Sequence, residues 1–213
     1  MIIYIVMGLI AYAIGSINFS VIFSKKIAGF DVREKGSGNA GTTNMLRSAG
    51  KGLAVLTLIC DILKGVVSII IAILLGNIIP DINKELLIQI AGIAVVIGHT
   101  FPVFFGFKGG KGVATSLGII LFTNWQIGLI CLVFALTLMV LTRMVSLGSV
   151  TAAVLFPVLT VFINENYIVL IEGKSGSTYF IYSVILAAIV LFNHRENIKK
   201  IMDGTENRVG SKK

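Results

Sequence analysis

Charge, cysteine and histidine are all in short supply in this sequence, and each shortage removes a class of protein. Only 13% of the 213 residues are charged against 56% hydrophobic, and the mean hydropathy is +0.96. Soluble domains carry about 25% charged residues, so a water-soluble globular protein is excluded. The two cysteines, Cys60 and Cys131, both sit inside apolar runs, which argues against a disulfide framework and against a thiolate cluster. Neither histidine, His99 or His194, belongs to a Cys/His/carboxylate set with metal-site spacing, so no metal and no cofactor is expected. The first residues, Met1-Ile-Ile-Tyr, lack the basic segment of a signal peptide and read as a retained first helix. No polar stretch is long enough to fold separately, so residues 1–213 are expected to form a single domain.

Apolar sequence fills the space. A membrane-crossing helix needs about 20 apolar residues, and the candidate runs are 1–23, 53–75, 86–106, 112–124, 125–142, 145–163 and 177–193. The fold class that follows is all-α, a polytopic membrane helical bundle with seven transmembrane helices. The fourth run is short, apolar only over Val113–Phe122, a length that also suits a re-entrant segment. Charge favours counting it as a crossing. With seven crossings, every lysine and arginine except Lys64, Lys84 and Lys174 falls in the 24–52 loop, in the 107–111 turn, at Arg143 or in the tail from 194. Those segments then share the cytoplasmic side, with the N-terminus outside and the C-terminus in the cytoplasm. The opposite side keeps Lys84 and Lys174 against Asp81, Glu85, Glu165 and Glu172. The tail from about Asn207 is expected to be disordered. In this setting the net charge of +8 suits anionic lipids and ligands better than nucleic acid.

Two polar stretches stand out at the cytoplasmic face. One runs Asp31-Val-Arg-Glu-Lys-Gly-Ser-Gly-Asn-Ala-Gly-Thr-Thr-Asn-Met-Leu-Arg-Ser-Ala-Gly-Lys and has no acid between Glu34 and Asp61. It offers the hydroxyls of Ser37, Thr42 and Thr43, the amides of Asn39 and Asn44, and the Arg47 guanidinium. That set suits a phosphorylated ligand, which Arg47 can grip in bidentate fashion. The plainer alternative is a solvated turn loop. The other stretch, Gly98-His-Thr-Phe-Pro-Val-Phe-Phe-Gly-Phe-Lys-Gly-Gly-Lys-Gly-Val-Ala-Thr, spaces Lys108 and Lys111 with Gly106, Gly109, Gly110 and Gly112 before a new apolar run. Glycines there leave backbone N–H groups free to approach an anion, and the following helix N-terminus adds partial positive charge. It is not a P-loop, because Phe105 and Gly112 stand where that motif needs Gly and Ser or Thr. A flexible basic turn is the alternative.

Smaller features complete the pattern. Gly15, Ser16, Asn18 and Ser20 in the first run suit helix packing and interhelical hydrogen bonds. Asp61 and Lys64 are three apart and share a helical face. Charges inside a membrane are costly and point to function, although the two could also form a structural pair. Ser146, Gly148 and Ser149 either cap a helix or donate to an anion. If the last helix continues past Asn193, His194 and Asn197 share a face. No G-x-S-x-G elbow is present, and His99 and His194 are followed five residues later by Phe104 and Lys199, so the His-x4-Asp pattern of a common acyltransferase superfamily is absent.

The 36–51 and 98–115 stretches, together with His194-Arg-Glu-Asn-Ile-Lys-Lys-Ile-Met-Asp-Gly-Thr-Glu, resemble the three cytoplasmic motifs of the bacterial acyl-phosphate-dependent glycerol-3-phosphate acyltransferases. Three long motifs in order, with matching length and span count, carry the resemblance across nearly the whole chain. One mild departure is Lys200-Ile201, where a basic residue followed by Leu is common. The resemblance implies transfer of a fatty acyl group from acyl phosphate to the 1-hydroxyl of sn-glycerol 3-phosphate, giving lysophosphatidic acid and phosphate, the first acylation of phospholipid synthesis. It implies a multi-pass protein of the bacterial cytoplasmic membrane whose active site opens to the cytoplasm, with the lipid bilayer as partner. By the same resemblance, Ser37, Arg47, His194 and Asn197 match positions needed for activity. The turn containing Lys108, Gly109, Gly110, Lys111 and Gly112 is associated with glycerol 3-phosphate binding, and Glu206 with structural integrity.

Such chemistry needs no coenzyme and no covalent enzyme intermediate, because an acyl phosphate is already activated. The protein must position two anions, accept one hydroxyl proton and stabilise the oxyanion and departing phosphate. Arg47, Lys64, Lys108 and Lys111 can supply charge; Asn39, Thr42, Thr43, Asn44, His99 and Ser146 complete the candidate substrate-binding set. The proton acceptor is open between His194 oriented by Asn197, His99, and the phosphate of the substrate itself. A transporter of a phosphorylated metabolite is the competing class, given Asp61, Lys64 and a broken helix. Against it, no internal repeat is visible and the polar groups gather at one face.

Overall fold

The computed structural model describes residues 1–163 and 177–210, and among them the regular elements are helical throughout. In chain order they are α1 (Ile2–Gly15), α2 (Phe19–Phe23), α3 (Thr42–Ser48), α4 (Lys51–Ile78), α5 (Lys84–Thr100), α6 (Val113–Thr123), α7 (Trp125–Thr142), α8 (Val145–Phe162), α9 (Ser177–Asn193) and α10 (Arg195–Met202). A π turn follows α2 over Ser24–Ala28, and single 3-10 turns lie at Val32–Glu34 and Val103–Phe105. The all-α expectation holds. Asparagines open several helices: Asn83 Oδ1 accepts from the Leu86 N–H at 2.9 Å to start α5, and Asn124 Oδ1 from Ile127 at 3.1 Å to start α7.

All seven apolar runs become helix, and five are long enough to cross a membrane: Ile2–Ala28, Lys51–Ile78, Lys84–Phe105, Trp125–Thr142 and Val145–Phe162. Thr178–Asn193 and Arg195–Met202 are bent by 65° and make a sixth if taken as one span. Helix α6 has 11 residues. At 1.5 Å per residue it is about 16 Å long, short of a roughly 30 Å hydrocarbon core. The surface of these helices is turned inside out relative to a soluble protein. Along α4, Leu56, Ile59, Leu63 and Leu74 face outward, while Thr57, Asp61, Lys64, Gly65 and Ser68 are buried. Lipid solvates leucine as well as protein does, so small and polar residues make the helix contacts.

The chain divides into two compact units, Met1–Ile119 and Ile120–Lys213, with the boundary inside α6. In the first unit α1 lies directly on α5: a Cβ at Gly15 would meet the Val95 carbonyl, and one at Gly98 the Tyr12 carbonyl. Helices α4 and α6 meet the same way, with Gly65 against the Thr115 carbonyl and Gly118 against that of Ile62. The first span is interrupted. After α1 ends, Asn18 Oδ1 accepts from the Val21 N–H at 3.1 Å and the Ser20 hydroxyl at 2.7 Å, restarting the helix as α2. Ser16 Oγ accepts from the Val103 N–H at 3.3 Å, a contact between α1 and the chain leaving α5.

In the second unit α7 packs on α8 through Gly148, whose missing Cβ admits the Ala135 carbonyl. Helix α8 meets α9 through Phe156 edge-on to Tyr179, 6.1 Å between centroids, and through the Thr160 and Ser183 hydroxyls 3.3 Å apart. The tail, expected to be disordered from about Asn207, is held at Val209, whose N–H donates to the Arg143 carbonyl at 2.8 Å. Glu165, Glu172 and Lys174, expected on the outer side, and residues 211–213 lie outside the described residues.

Candidate functional site

The 31–48 stretch is a folded element with its own small core. Val32, Ala40 and Met45 pack with Val21 and Ala54, and Leu53 and Phe105 close the cluster. At its centre stands Asn44, expected among the ligand donors and only 1% exposed. Its Nδ2 donates to the carbonyls of Val32 at 2.8 Å, Lys35 at 2.9 Å and Asn39 at 2.9 Å, while its Oδ1 accepts from the Ser37 N–H at 2.8 Å. In this structure the hydrogen bonds of the amide fold the loop. What the loop turns outward is Ser37 and Arg47, both exposed, with Asn39 and Thr43 half-buried. Thr42 opens α3 with its hydroxyl buried and without a hydrogen-bond partner among the described residues.

Two residues outside the expected set tie this loop down. Asp31 Oδ1 accepts from the Arg33 N–H at 3.0 Å and its Oδ2 meets Arg33 Nη2 at 2.8 Å, with Lys25 Nζ at 3.1 Å. Arg33 Nη1 donates to the Phe105 carbonyl at 2.6 Å, joining the first polar stretch to the second. The Arg33 guanidinium holds the Asp31 carboxyl well below the usual carboxylate range, with Lys25 assisting, although burial acts the other way. The carboxylate in turn raises Arg33 above its ordinary value.

The second stretch folds back on the end of α5. Its glycines were expected to leave N–H groups free for an anion, but the Gly109 and Gly110 N–H groups donate to the Thr100 and His99 carbonyls, each at 3.1 Å. Their need for glycine is steric. A Cβ on Gly109 would strike the His99 and Thr100 carbonyls, and one on Gly110 would strike the His99 ring. The Gly109 carbonyl accepts from the Ala40 N–H at 3.3 Å and from Asn39 Nδ2 at 3.4 Å, so the two polar stretches are stitched together here. Gly112, at φ +86, turns the chain into α6 in a conformation that favours glycine. Lys108 is exposed and Lys111 half-buried; Thr115 and Ser116 in the first turn of α6 have buried hydroxyls without hydrogen-bond partners among the described residues.

Beneath this turn lie Asp61, Lys64 and His99, at 2%, 4% and 4% exposure. Asp61 Oδ1 is 2.8 Å from Lys64 Nζ and 3.4 Å from His99 Nδ1. Lys64 Nζ also donates to the Ile17 carbonyl at 3.1 Å, the group exposed by the break between α1 and α2. The first unit thus brings Asn39, Gly109, Gly110, His99 and Lys64 into one connected arrangement.

In the second unit His194 ends α9 and is buried. Its Nδ1 lies 2.8 Å from the Val190 carbonyl. A carbonyl only accepts, so Nδ1 carries a proton. Asn197 Nδ2 donates to both Glu206 oxygens at 3.0 Å, which anchors α10 to the segment after it. Ser146, expected to cap α8 or to bind an anion, is the second residue of that helix. The cap position is Met144, and the Ser146 hydroxyl is buried with no hydrogen-bond partner among the described residues. Capping is thereby ruled out. Sequence reasoning missed Asp31 and Arg33, because an Asp-x-Arg pair in a basic loop looks like ordinary solubilising charge.

Comparison with known proteins places this arrangement in a family. The family model described as "Glycerol-3-phosphate acyltransferase" matches residues 5–204. A glycerol-3-phosphate acyltransferase of Clostridioides difficile (strain 630) is 41% identical over 210 residues, covering 99% of this chain and 97% of that protein. The crystal structure of PlsY (YgiH), an integral membrane glycerol 3-phosphate acyltransferase, in its glycerol 3-phosphate form superposes with a TM-score of 0.82 at 35% identity, covering 97% of this chain and 96% of that one. Its lysophosphatidic acid form gives 0.81 at 34% identity, covering 97% and 95%. A multi-pass helical membrane protein with these relatives is an acyltransferase by kinship: the chain belongs to the glycerol-3-phosphate acyltransferase family.

Proposed function

We propose that this protein transfers a fatty acyl group from acyl phosphate to the 1-hydroxyl of sn-glycerol 3-phosphate, releasing lysophosphatidic acid and inorganic phosphate. The observation that carries the reading is the family match over 5–204, which covers the first two motif stretches and the third as far as Gly204. That continuity also supports treating both compact units as parts of one catalytic domain. The substrate hydroxyl oxygen attacks the acyl carbonyl carbon, the new C–O bond forms, and the C–O bond to phosphate breaks. Arg47, Lys108 and Lys111 balance the phosphate charges. Ser37, Asn39, Thr42, Thr43 and Ser146 supply neutral donors to substrate and oxyanion.

The hydroxyl proton goes to His194, whose Nδ1 donates to the Val190 carbonyl and so assigns the acceptor role to Nε2 of the neutral ring. Asn197, held by Glu206, completes that element. Near-normal turnover in a His194→Ala variant would remove the histidine from this role and leave the substrate phosphate as acceptor. The charge distribution supports seven crossings, with the N-terminus outside and the C-terminus and active site at the cytoplasmic face of the bacterial cytoplasmic membrane. In that arrangement α6 is the short fourth crossing, and the glycine turn before it sits inside a protein-lined recess.

The test uses purified protein in lipid with palmitoyl phosphate and glycerol 3-phosphate, and follows phosphate release with and without EDTA. Release that requires glycerol 3-phosphate, survives EDTA and is not reproduced with palmitoyl-CoA is the expected result. Equal activity with the CoA thioester would overturn the donor assignment. No release in an active lipid environment would return the chain to the transporter class.

A further inference from the structure

Asp61, Lys64 and His99, buried together in the first unit, lie against one another through Asp61 Oδ1. We infer that Asp61, Lys64 and His99 are positioning residues that form a buried strut beneath the glycine turn and set its height against the 36–44 loop, without touching substrate. This rests on the acyltransferase reading above.

Burial supplies the first line of argument. All three groups are at most 4% exposed, and Lys64 Nζ is held from two sides, by Asp61 at 2.8 Å and by the Ile17 carbonyl at 3.1 Å. To reach a ligand, Lys64 would have to leave Asp61 and expose a bare carbonyl at the break in the first span. Neither loss is compensated inside a membrane.

The second line is the path of contacts. Asp61 Oδ1 lies 3.4 Å from Nδ1 of His99, close enough to attract that edge of the ring without forming a hydrogen bond. On the other edge of the ring lies Gly110: the three atoms nearest to a Cβ at that position are Nε2, Cε1 and Cδ2 of His99, all of the same ring. The main chain repeats the contact, since the Gly110 N–H donates to the His99 carbonyl. One residue earlier, the Gly109 carbonyl receives the Ala40 N–H and the Asn39 amide. A displaced ring therefore moves Gly110, then Gly109, then the start of the loop that carries Thr42 and Arg47. An apolar side chain could fill the same volume, but it would not draw the Nδ1 edge of the ring toward Asp61.

The strut gives Asp61 and Lys64, two charged residues in an apolar helix, a structural role. It also separates His99 from His194: the former seats a turn, the latter presents a basic nitrogen.

The test is a double-mutant cycle on Gly110→Ala and His99→Ala, with kcat and KM for glycerol 3-phosphate read from phosphate release and folding followed by thermal melting in detergent. Gly110→Ala is expected to lower kcat/KM at least tenfold, mainly through KM. The double variant should be no worse than His99→Ala alone, because removing the ring makes room for the methyl group. His99→Gln should regain part of the loss and keep the wild-type pH profile of kcat. Multiplicative losses in the double variant would overturn the inference, as would His99→Gln with a lost kcat, an intact KM and a missing limb in its pH profile.

Should His99→Ala fail to fold, the pair Asp61→Leu/Lys64→Met carries the test, since apolar replacement of a whole buried ion pair is tolerated. It should raise KM while leaving kcat within a few fold; a wild-type KM would overturn the strut. Wild-type protein without glycerol-3-phosphate-dependent release would instead overturn the acyltransferase reading, so the two failures are distinguishable.

Discussion

Replacing Asn44 by alanine removes about three hydrogen bonds at once: the two Nδ2 hydrogens, shared among the Val32, Lys35 and Asn39 carbonyls, and the bond accepted from Ser37. At about 1 kcal/mol net per bond the loss approaches 3 kcal/mol. Most of these contacts lie in part-buried surroundings, so water recovers some of it and a range of about 2–3 kcal/mol results. At roughly 1.4 kcal/mol per tenfold, the ratio of ordered to open loop falls by about 30- to 150-fold. Helices α1, α4 and α5 do not depend on this amide, so the main thermal transition in detergent should move little. Hydrogen exchange of residues 31–48 should accelerate by the stated factor, and kcat/KM for glycerol 3-phosphate should fall at least tenfold. Asn44→Asp keeps the bond from Ser37 but aims a carboxylate at three carbonyls, and should be as bad or worse. Native exchange rates and native turnover in Asn44→Ala would refute the reasoning that this residue organises the loop.

Acid should loosen the same loop through Asp31. Its carboxyl is held below the usual range in the folded protein, so the stabilisation is complete above the unfolded value of about 4 and is lost as pH falls below it. Exchange protection of residues 31–48 should be level from pH 7 to about 5 and decline beneath that. Asp31→Asn should flatten the dependence and lower protection at neutral pH. Glu206→Ala leaves the Asn197 amide without its carboxylate and should cost about 1.5–3 kcal/mol locally, seen as faster exchange in α10 and reduced kcat. Unchanged exchange would break the link between those residues. Gly118→Ala drives a methyl group into the Ile62 carbonyl and should cost about 1–3 kcal/mol through displacement of α6, read as a lower melting temperature. A native melting temperature would mean that α4 and α6 do not pack as described.

Periodicity and run length suffice for the helices, because in a membrane every apolar run must satisfy its own backbone. The interruption at Ser16–Asn18 is less visible. Asn18 has the chemistry of a helix-opening residue, yet an asparagine in an apolar run equally suits an interhelical hydrogen bond. Composition identified the donors of the 36–47 stretch without saying to whom they donate. Asn39 and Asn44 are the same residue type five positions apart, and only the fold shows that Asn44 faces inward to three carbonyls. The glycine turn reversed its expected logic for a related reason. Glycine permits free N–H groups and close steric approach alike, and the partner that decides between them, the end of α5, is set by tertiary packing. Asp61 and Lys64 could be paired from their spacing. His99, 38 residues beyond Asp61, could not.

The Ile17 carbonyl, which the break in the first span leaves to Lys64, bears on how the protein is made. A helix of hydrophobic length carrying Asp61 and Lys64 enters the bilayer with two charges, each a burden of about 3 kcal/mol near the centre of a span. The preceding span, already emerged from the ribosome, offers at its break an acceptor for Lys64 that an unbroken helix would have consumed internally. His99 arrives only with the following span. The order of synthesis thus matches the order in which the charges need partners, and the first two spans can settle in the membrane as a hairpin before the turn that depends on them exists.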